Sequence, residues 1–220
     1  MNRKLAIISM LLVILASGAC TKSKLEQTYN NQESKIDSYL NSKRLVKRSI
    51  NRIDTLGFIL DTTALDNGSL QIDTSWITEK VDTTWTDTLK VVRSGGSNRI
   101  IVKEGEGEEL QRNGFVSFFY AGYTFSGSVN SSNLFITNHQ ETAEQAGWEL
   151  TDADYQLYEI NIGETELIPG LRDGLIGVKE SEECEILFTG KYGFGNDDFG
   201  IIPANSALLY KIWVVGVAND

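Results

Sequence analysis

Residues 200–217 read Gly-Ile-Ile-Pro-Ala-Asn-Ser-Ala-Leu-Leu-Tyr-Lys-Ile-Trp-Val-Val-Gly-Val. No other stretch constrains the fold as much. Gly200, Pro203 and Asn205-Ser206 supply turn chemistry. The run from Ala207 to Val217 is almost wholly apolar and rich in β-branched and aromatic residues, and it is too long for an edge strand. It predicts a central strand covered on both faces. One face carries Leu208, Tyr210, Ile212 and Val214. The other carries Leu209, Trp213 and Val215, with Lys211 as the polar interruption.

The preceding hundred residues supply the rest of a sheet. Val116 to Tyr123 predicts a strand leading to a turn at Ser126-Gly127, Tyr158 to Gly163 alternates as a strand, and Cys184 to Thr189 forms another. Leu167 to Val178 places Ile168, Leu171, Leu175 and Val178 at helical spacing, with Pro169 in a first turn where its missing N–H costs nothing. Residues 133–157 read as a polar insertion with a helix-like middle at Glu141–Ala146. Strands outnumber helices and one short helix sits centrally. This is an α+β plan: an antiparallel β-sheet curled around a short central α-helix, with an N-terminal accessory segment.

The chain opens with Arg3-Lys4 and an apolar run from Leu5 to Leu15, too short to span a bilayer. Leu15-Ala16-Ser17-Gly18-Ala19-Cys20 follows and resembles a bacterial lipobox, which makes residues 1–19 a lipoprotein signal peptide and Cys20 the lipidated residue. An ordinary cleaved signal peptide is the alternative. Either places the remainder outside the cytoplasm. Under the first, the chain is held to a bacterial membrane, facing the periplasm or the cell surface. Residues 20–32 are polar and read as a tether.

Residues 33–98 read as an accessory region without an assigned role. Glu33 to Arg48 has a modest helical pattern with Ile36, Tyr39 and Leu40 on one side. Asn51 to Asp61 suits a strand, and Asp66-Asn67-Gly68-Ser69 signals a hairpin. Residues 72–92 carry i, i+4 spacing that also fits a helix, but their threonine and valine content favours strand. Ser94-Gly95-Gly96-Ser97-Asn98 reads as a flexible boundary before a domain at 99–220.

A formal net charge of −10 argues against nucleic acid as a partner, since that needs clustered Lys and Arg. Of the two cysteines, Cys184 alternates with glutamates on a strand and reads as a small buried hydrophobe. There is no Ser-His-Asp set, no metal-ligand spacing and no phosphate loop. Asp197-Asp198 falls far short of a calcium ligand set. His139, the lone histidine, reads as solvated. The expectation is chemistry without cofactor or metal.

Roughly residues 100–217 resemble the FKBP-type peptidyl-prolyl isomerases. Tyr120-Ala121-Gly122 matches that family's Tyr-x-Gly strand end, and Val129-Asn130-Ser131-Ser132 stands where it usually has Phe-Asp-Ser-Ser. Ile160-Asn161-Ile162-Gly163, Leu167-Ile168-Pro169-Gly170-Leu171 and Gly174 match the strand and helix lining its pocket. Gly200-Ile201-Ile202-Pro203 and Tyr210 complete the set. The resemblance implies catalytic positions at Tyr120, Asn130, Ile168, Phe194 and Tyr210, the backbone N–H of Ile168 donating to the substrate carbonyl. It implies substrate contacts at Val129, Tyr158, Ile160, Leu167, Leu171, Tyr192 and Ile202. The bland reading stands beside each: Ile160, Leu167, Leu171 and Tyr210 are core residues in any such domain, and Asn130 before Ser-Ser is ordinary turn chemistry.

The chain departs from the pattern in places. Val129 replaces an aromatic wall, Asn130 an acid, and Leu171 the tryptophan many members have at the pocket floor. At the family's Tyr-Gly site, counting without gaps from Gly170 puts Phe194-Gly195, which lacks a hydroxyl; sliding by two puts Tyr192-Gly193 and keeps it. The gapless count is preferred. The resemblance implies a membrane-anchored extracytoplasmic prolyl isomerase acting on proline-containing exported polypeptides; the alternative is a catalytically weak binding or chaperone module of the cell envelope.

Overall fold

The computed structural model describes residues 2–43, 45–64 and 70–219, with side chains over 22–43 and 89–219. Two compact units emerge. One is Leu45–Thr88 and the other is the rest of the chain. The first unit is a two-stranded antiparallel ribbon of β1 (Leu45–Ala64) and β2 (Leu70–Thr88). Its register runs from Leu45↔Thr88 to Ala64↔Leu70, with a bulge between Thr55 and Gly57. The Asp66–Ser69 turn lies outside the described residues. Strand, not helix, is the outcome for the threonine-rich stretch.

The second unit opens with helix α1 (Asn2–Lys43). Cys20 falls within it, its side chain outside the described residues. Among the described residues no helix is long and apolar enough to cross a membrane. Then follow β3 (Lys90–Ser94), β4 (Ser97–Lys103), β5 (Phe115–Thr124), β6 (Leu134–Thr137), α2 (Gln140–Gln145), β7 (Tyr158–Asn161), α3 (Pro169–Leu175), β8 (Glu183–Phe188) and β9 (Leu208–Ala218). The strands form one antiparallel sheet in the order β3-β4-β8-β9-β5-β6, and β7 pairs with the other half of the β5 edge.

β9 is central and its two faces divide by parity. Leu208, Tyr210, Ile212 and Val214 are buried with α3's Leu171 and Leu175, while Leu209 and Trp213 join a second cluster on the opposite face. Each fully buried leucine stabilises by about 1.5–3 kcal/mol. α3 can lie directly on β8 because of two glycines. A Cβ on Gly170 would stand 2.2 Å from Phe188, and one on Gly174 2.3 Å from Ile186. Arg99 closes the C-terminal end of α3, donating to the carbonyls of Gly174 (3.0 Å), Ile176 (2.9 Å) and Gly177 (2.9 Å). Glu182 faces it 3.4 Å away, both groups buried, as an ion pair without a hydrogen bond between them.

Three expectations change. Residues 21–32 are helical, not a tether: Tyr29 and Gln32 hydrogen-bond the domain, and Ile36, Tyr39 and Leu40 on the same stripe fill the second cluster. The helix ends at Lys43, so the pattern expected to reach Arg48 passes into β1. Ser94–Asn98 is no flexible boundary but the turn of the β3–β4 hairpin, with Gly95 and Gly96 at φ of 57° and 88°, the left-handed values a tight hairpin needs. The sheet therefore begins at Lys90, well before residue 99.

Candidate functional site

The site is built where β5, β6, β7 and β9 meet the start of α3. Ile168 caps α3 at φ −57° and ψ 137°, and its carbonyl accepts from the N–H groups of Leu171 and Arg172, both at 3.1 Å. Its own N–H has no protein acceptor among the described residues. Leu171, one turn in, is buried in the same cluster as Ile160 and Ile202.

Tyr210 is only 7% exposed. It stacks on Phe188 (6.1 Å, 16°) and meets Phe135 edge-on (5.8 Å, 86°). Burial, then the neighbouring Tyr120 phenol, pushes its hydroxyl far above the usual range. Tyr120 and Tyr158 are also edge-to-face at 5.7 Å, with Phe118 in contact with both at 6.1 and 5.5 Å. The Tyr120 phenol is raised by burial and then by Tyr158. Such offset aromatic pairs are each worth about 0.5–1.5 kcal/mol beyond their burial.

The backbone of Tyr120 is pinned by the segment after β6. Asn138 Oδ1 accepts from the Tyr120 N–H at 2.6 Å, and the Tyr120 carbonyl accepts from the Thr137 hydroxyl at 2.7 Å. The buried Asn138 amide also donates to the Gln156 carbonyl at 2.9 Å, so the insertion is stitched to β5 rather than hanging free.

The remaining expected positions divide. Leu167 is partly buried against the first cluster, as are Tyr192 and Phe194. Tyr192 is turned toward the β3–β4 hairpin: a Cβ on Gly96 would stand 2.2 Å from its ring. Phe194 stacks face to face on Phe199 at 4.6 Å, and Phe199 is 62% exposed. Val129 packs in the second cluster, on the far side of the sheet from Tyr210. Asn130 is exposed and accepts from the Ser132 hydroxyl in the short 3-10 turn Ser131–Asn133.

Phe135 was not among the expected wall residues. It lies inside residues 133–157, whose composition reads as a polar insertion. The alternation Leu134-Phe135-Ile136-Thr137 is the signal that marks it, a short strand too brief to stand out against its polar surroundings. His139 also differs from expectation. It is half-buried and stacked on Trp213 (3.9 Å, 6°), with Nδ1 2.9 Å from the Thr142 hydroxyl, and burial lowers its pKa. Asp198 accepts from the Ala204 N–H at 2.6 Å, which is turn chemistry. Cys184 is buried, and burial pushes its thiol well up. No group of three or more metal-ligating side chains occurs among the described residues.

Residues 106–215, half the chain, match the family described as FKBP-type peptidyl-prolyl cis-trans isomerase. The chain is 24% identical over 117 residues to FK506-binding protein 1 of Aspergillus oryzae, covering 53% of this chain and 94% of that protein. It is 25% identical over 133 residues to the peptidyl-prolyl cis-trans isomerase FKBP9 of Rattus norvegicus, of whose length it spans 19%. Among solved structures, FkpA from Escherichia coli aligns over 99% of this chain and 74% of its own, at 14% identity and a TM-score of 0.44.

Proposed function

Since the chain belongs to the FKBP-type peptidyl-prolyl cis-trans isomerase family, we propose that it catalyses isomerisation of Xaa–Pro bonds in exported polypeptides while anchored outside the cytoplasm through Cys20. The observation that carries the catalytic half is the pairing of Tyr120 with Tyr158 and of Phe135 with Tyr210 at the cluster that holds Leu171, together with the unengaged N–H of Ile168.

The reaction needs no nucleophile. The amide resists twisting by about 18–20 kcal/mol because twisting ends the conjugation of nitrogen with carbonyl. The twisted amide is less charge-separated than the planar one, so a dry aromatic pocket favours it over water. Leu171, Ile160 and Tyr210 grip the proline ring, and the Ile168 N–H donates to the carbonyl of the bound peptide. Holding that donor in place beforehand means it need not be reorganised as the bond turns.

A second reading is a weakly catalytic binding module of the envelope. Leu171 at the floor in place of an aromatic favours it, as does Phe194, which brings no hydroxyl. A protease-coupled isomerisation assay on short Xaa-Pro peptides, using wild type and Tyr210→Phe and Tyr210→Ala variants of confirmed fold, separates the two. Acceleration by the wild type that falls in Tyr210→Ala supports the enzyme. A folded wild type inactive on every peptide leaves the binding module.

The anchoring half rests on the lipobox-like residues 15–20 and on the basic and apolar run before them. Several acyl chains on one cysteine would make attachment stable where one is marginal. Mass spectrometry of the expressed protein tests it: acylated Cys20 supports the anchor, and a free Cys20 thiol or a mature chain starting elsewhere overturns it.

A further inference from the structure

We propose that Gln32 is a positioning residue of the isomerase site, its carboxamide clamping together the two loops that bring Phe194 and Ile202 to the pocket. This rests on the reading of the pocket given above.

Gln32 sits on α1, far in sequence from everything it touches. Its Oε1 accepts from the Gly190 N–H at 2.9 Å, and its Nε2 donates to the Asn205 carbonyl at 2.6 Å. These two backbone groups belong to different loops. Gly190 opens the turn that carries Tyr192 and Phe194. Asn205 follows Ile202 and Pro203 and leads into β9. The loops are also tied to each other: the Asn205 N–H donates to the Gly195 carbonyl at 2.5 Å, and the Gly195 N–H donates to the Gly190 carbonyl at 3.0 Å. Gly190, Gly195 and Asn205 thus form three sides of a closed ring, and Gln32 is the fourth.

The junction is tight and its backbone is unusual. A Cβ on Gly190 would stand 2.3 Å from the Asn205 carbonyl. Asn205 itself holds φ of 59°, in the left-handed region that a non-glycine residue keeps only when its surroundings enforce it. Those surroundings include Tyr29, whose hydroxyl donates to Asn205 Oδ1 at 2.6 Å from one turn earlier on α1. Gln32 has to accept from one loop and donate to the other, and a primary amide at this reach does both. Without it the Gly190 N–H and the Asn205 carbonyl lose their partners, and the turn holding Phe194 is free to leave its place against the core.

The test uses the full chain with Gln32→Ala, Gln32→Glu and, as a control on the exposed face of α1, Ser34→Ala. Isomerisation of an Xaa-Pro peptide is followed by NMR exchange across pH, and amide hydrogen exchange is read at Gly195 and Asn205, whose N–H groups Gln32 does not touch. Displacements of about 1 Å cost up to roughly a hundredfold in rate, so Gln32→Ala lowers kcat/KM by about tenfold or more and speeds exchange at both amides. Ser34→Ala changes neither. Gln32→Glu is impaired at neutral pH, where a carboxylate accepts but cannot donate. It regains activity as the pH falls toward the ordinary glutamate value of about 4.3, where the protonated acid does both. Circular dichroism at each pH confirms that the variant is fully folded, so the recovery reports the placement of the loops and not the folded fraction.

Wild-type kcat/KM in Gln32→Ala, or a Gln32→Glu profile parallel to wild type, overturns the proposal. If the wild type is itself inactive, the isomerase reading fails separately and exchange decides the clamp: unchanged exchange at Gly195 and Asn205 in Gln32→Ala overturns it, and accelerated exchange supports it as the device holding the peptide-facing loops.

Discussion

Phe135 meets Tyr210 edge-on, with ring centroids 5.8 Å apart and planes at 86°. The pair joins β6 to β9 although β5 lies between them in the sheet. Phe135 thereby adds an aromatic ring to the cluster around Tyr210, while Val129 packs in the second cluster.

Replacing Phe135 by Leu should cost about 0.5–1.5 kcal/mol of stability through the lost edge contact. On the function proposed above it should also lower kcat/KM of the folded variant, because the ring stands beside Tyr210. Val129→Ala should leave the rate near wild type. Peptide isomerisation kinetics on the two variants check this, and a larger loss at Val129 than at Phe135 would contradict it.

Arg99 and Glu182 predict a stability change with a definite pH signature. Arg99→Ala leaves a buried carboxylate unpaired and three carbonyls without their donor, at a cost of about 3–5 kcal/mol. Burial raises the Glu182 pKa above its ordinary 4.5, and Arg99 opposes the rise. A carboxyl raised in the folded state contributes stability below its unfolded pKa and loses it as pH climbs through the folded one. Removing Arg99 raises it further, so the deficit of Arg99→Ala should shrink as pH falls from 7 toward 5. Urea unfolding at several pH values measures it; a deficit that grows on acidification contradicts the assignment.

Helix α1 should behave as part of the domain. Ile36 and Leu40 are each only 2% exposed, packed with Tyr123, Phe125 and Leu209. Each leucine- or isoleucine-to-alanine change there should cost about 2–5 kcal/mol. Tyr39→Phe removes the hydroxyl that donates to Glu185 at 2.8 Å, at a cost of about 1.5–3 kcal/mol. Thermal melts on the three variants give the answer, and unchanged melting in Ile36→Ala would mean that the helix is not docked.

His139, the only histidine in the chain, gives an unambiguous NMR titration. Burial beneath Trp213 lowers its pKa below the ordinary 6.5, against the raising effect of Glu141 and Glu183. A histidine lowered in the folded state favours the neutral ring, so its contribution to stability is present above pH 6.5 and lost as pH falls. The expected midpoint lies below 6.5 and rises in Trp213→Ala; a midpoint above 6.5 in the wild type would show that the acids dominate.

Much of this architecture was legible from local pattern. The parity of Leu208 to Val214 tells which side chains share a face, and the spacing of Leu171 and Leu175 marks the buried stripe of α3, because period 2 and period 3.6 are properties of the backbone itself. The pattern fails at its ends: Val215 sits at a bulge in the β5–β9 pairing and is exposed, and Val178, expected on the helix, lies beyond the end of α3 at Leu175. The turn at Ser94–Asn98 was visible as glycines but not as a hairpin, since Gly-Gly suits a tight turn and a loose link equally. Phe135 was missed because four residues are too few for a period to declare itself.

What the sequence by itself determined is therefore the set of elements and the face each one buries. Periodicity reports that β9 needs cover on both sides, but not what covers it. Only the tertiary structure decided that the second cover is α1, through Ile36, Tyr39 and Leu40, and that the polar residues Tyr29 and Gln32 engage Asn205 and Gly190 across more than 150 residues of chain. A polar side chain carries no mark of whether its partner will be water or a distant backbone amide. That choice is made by geometry once the apolar faces have closed, and it separates a tether from a helix that is part of the domain.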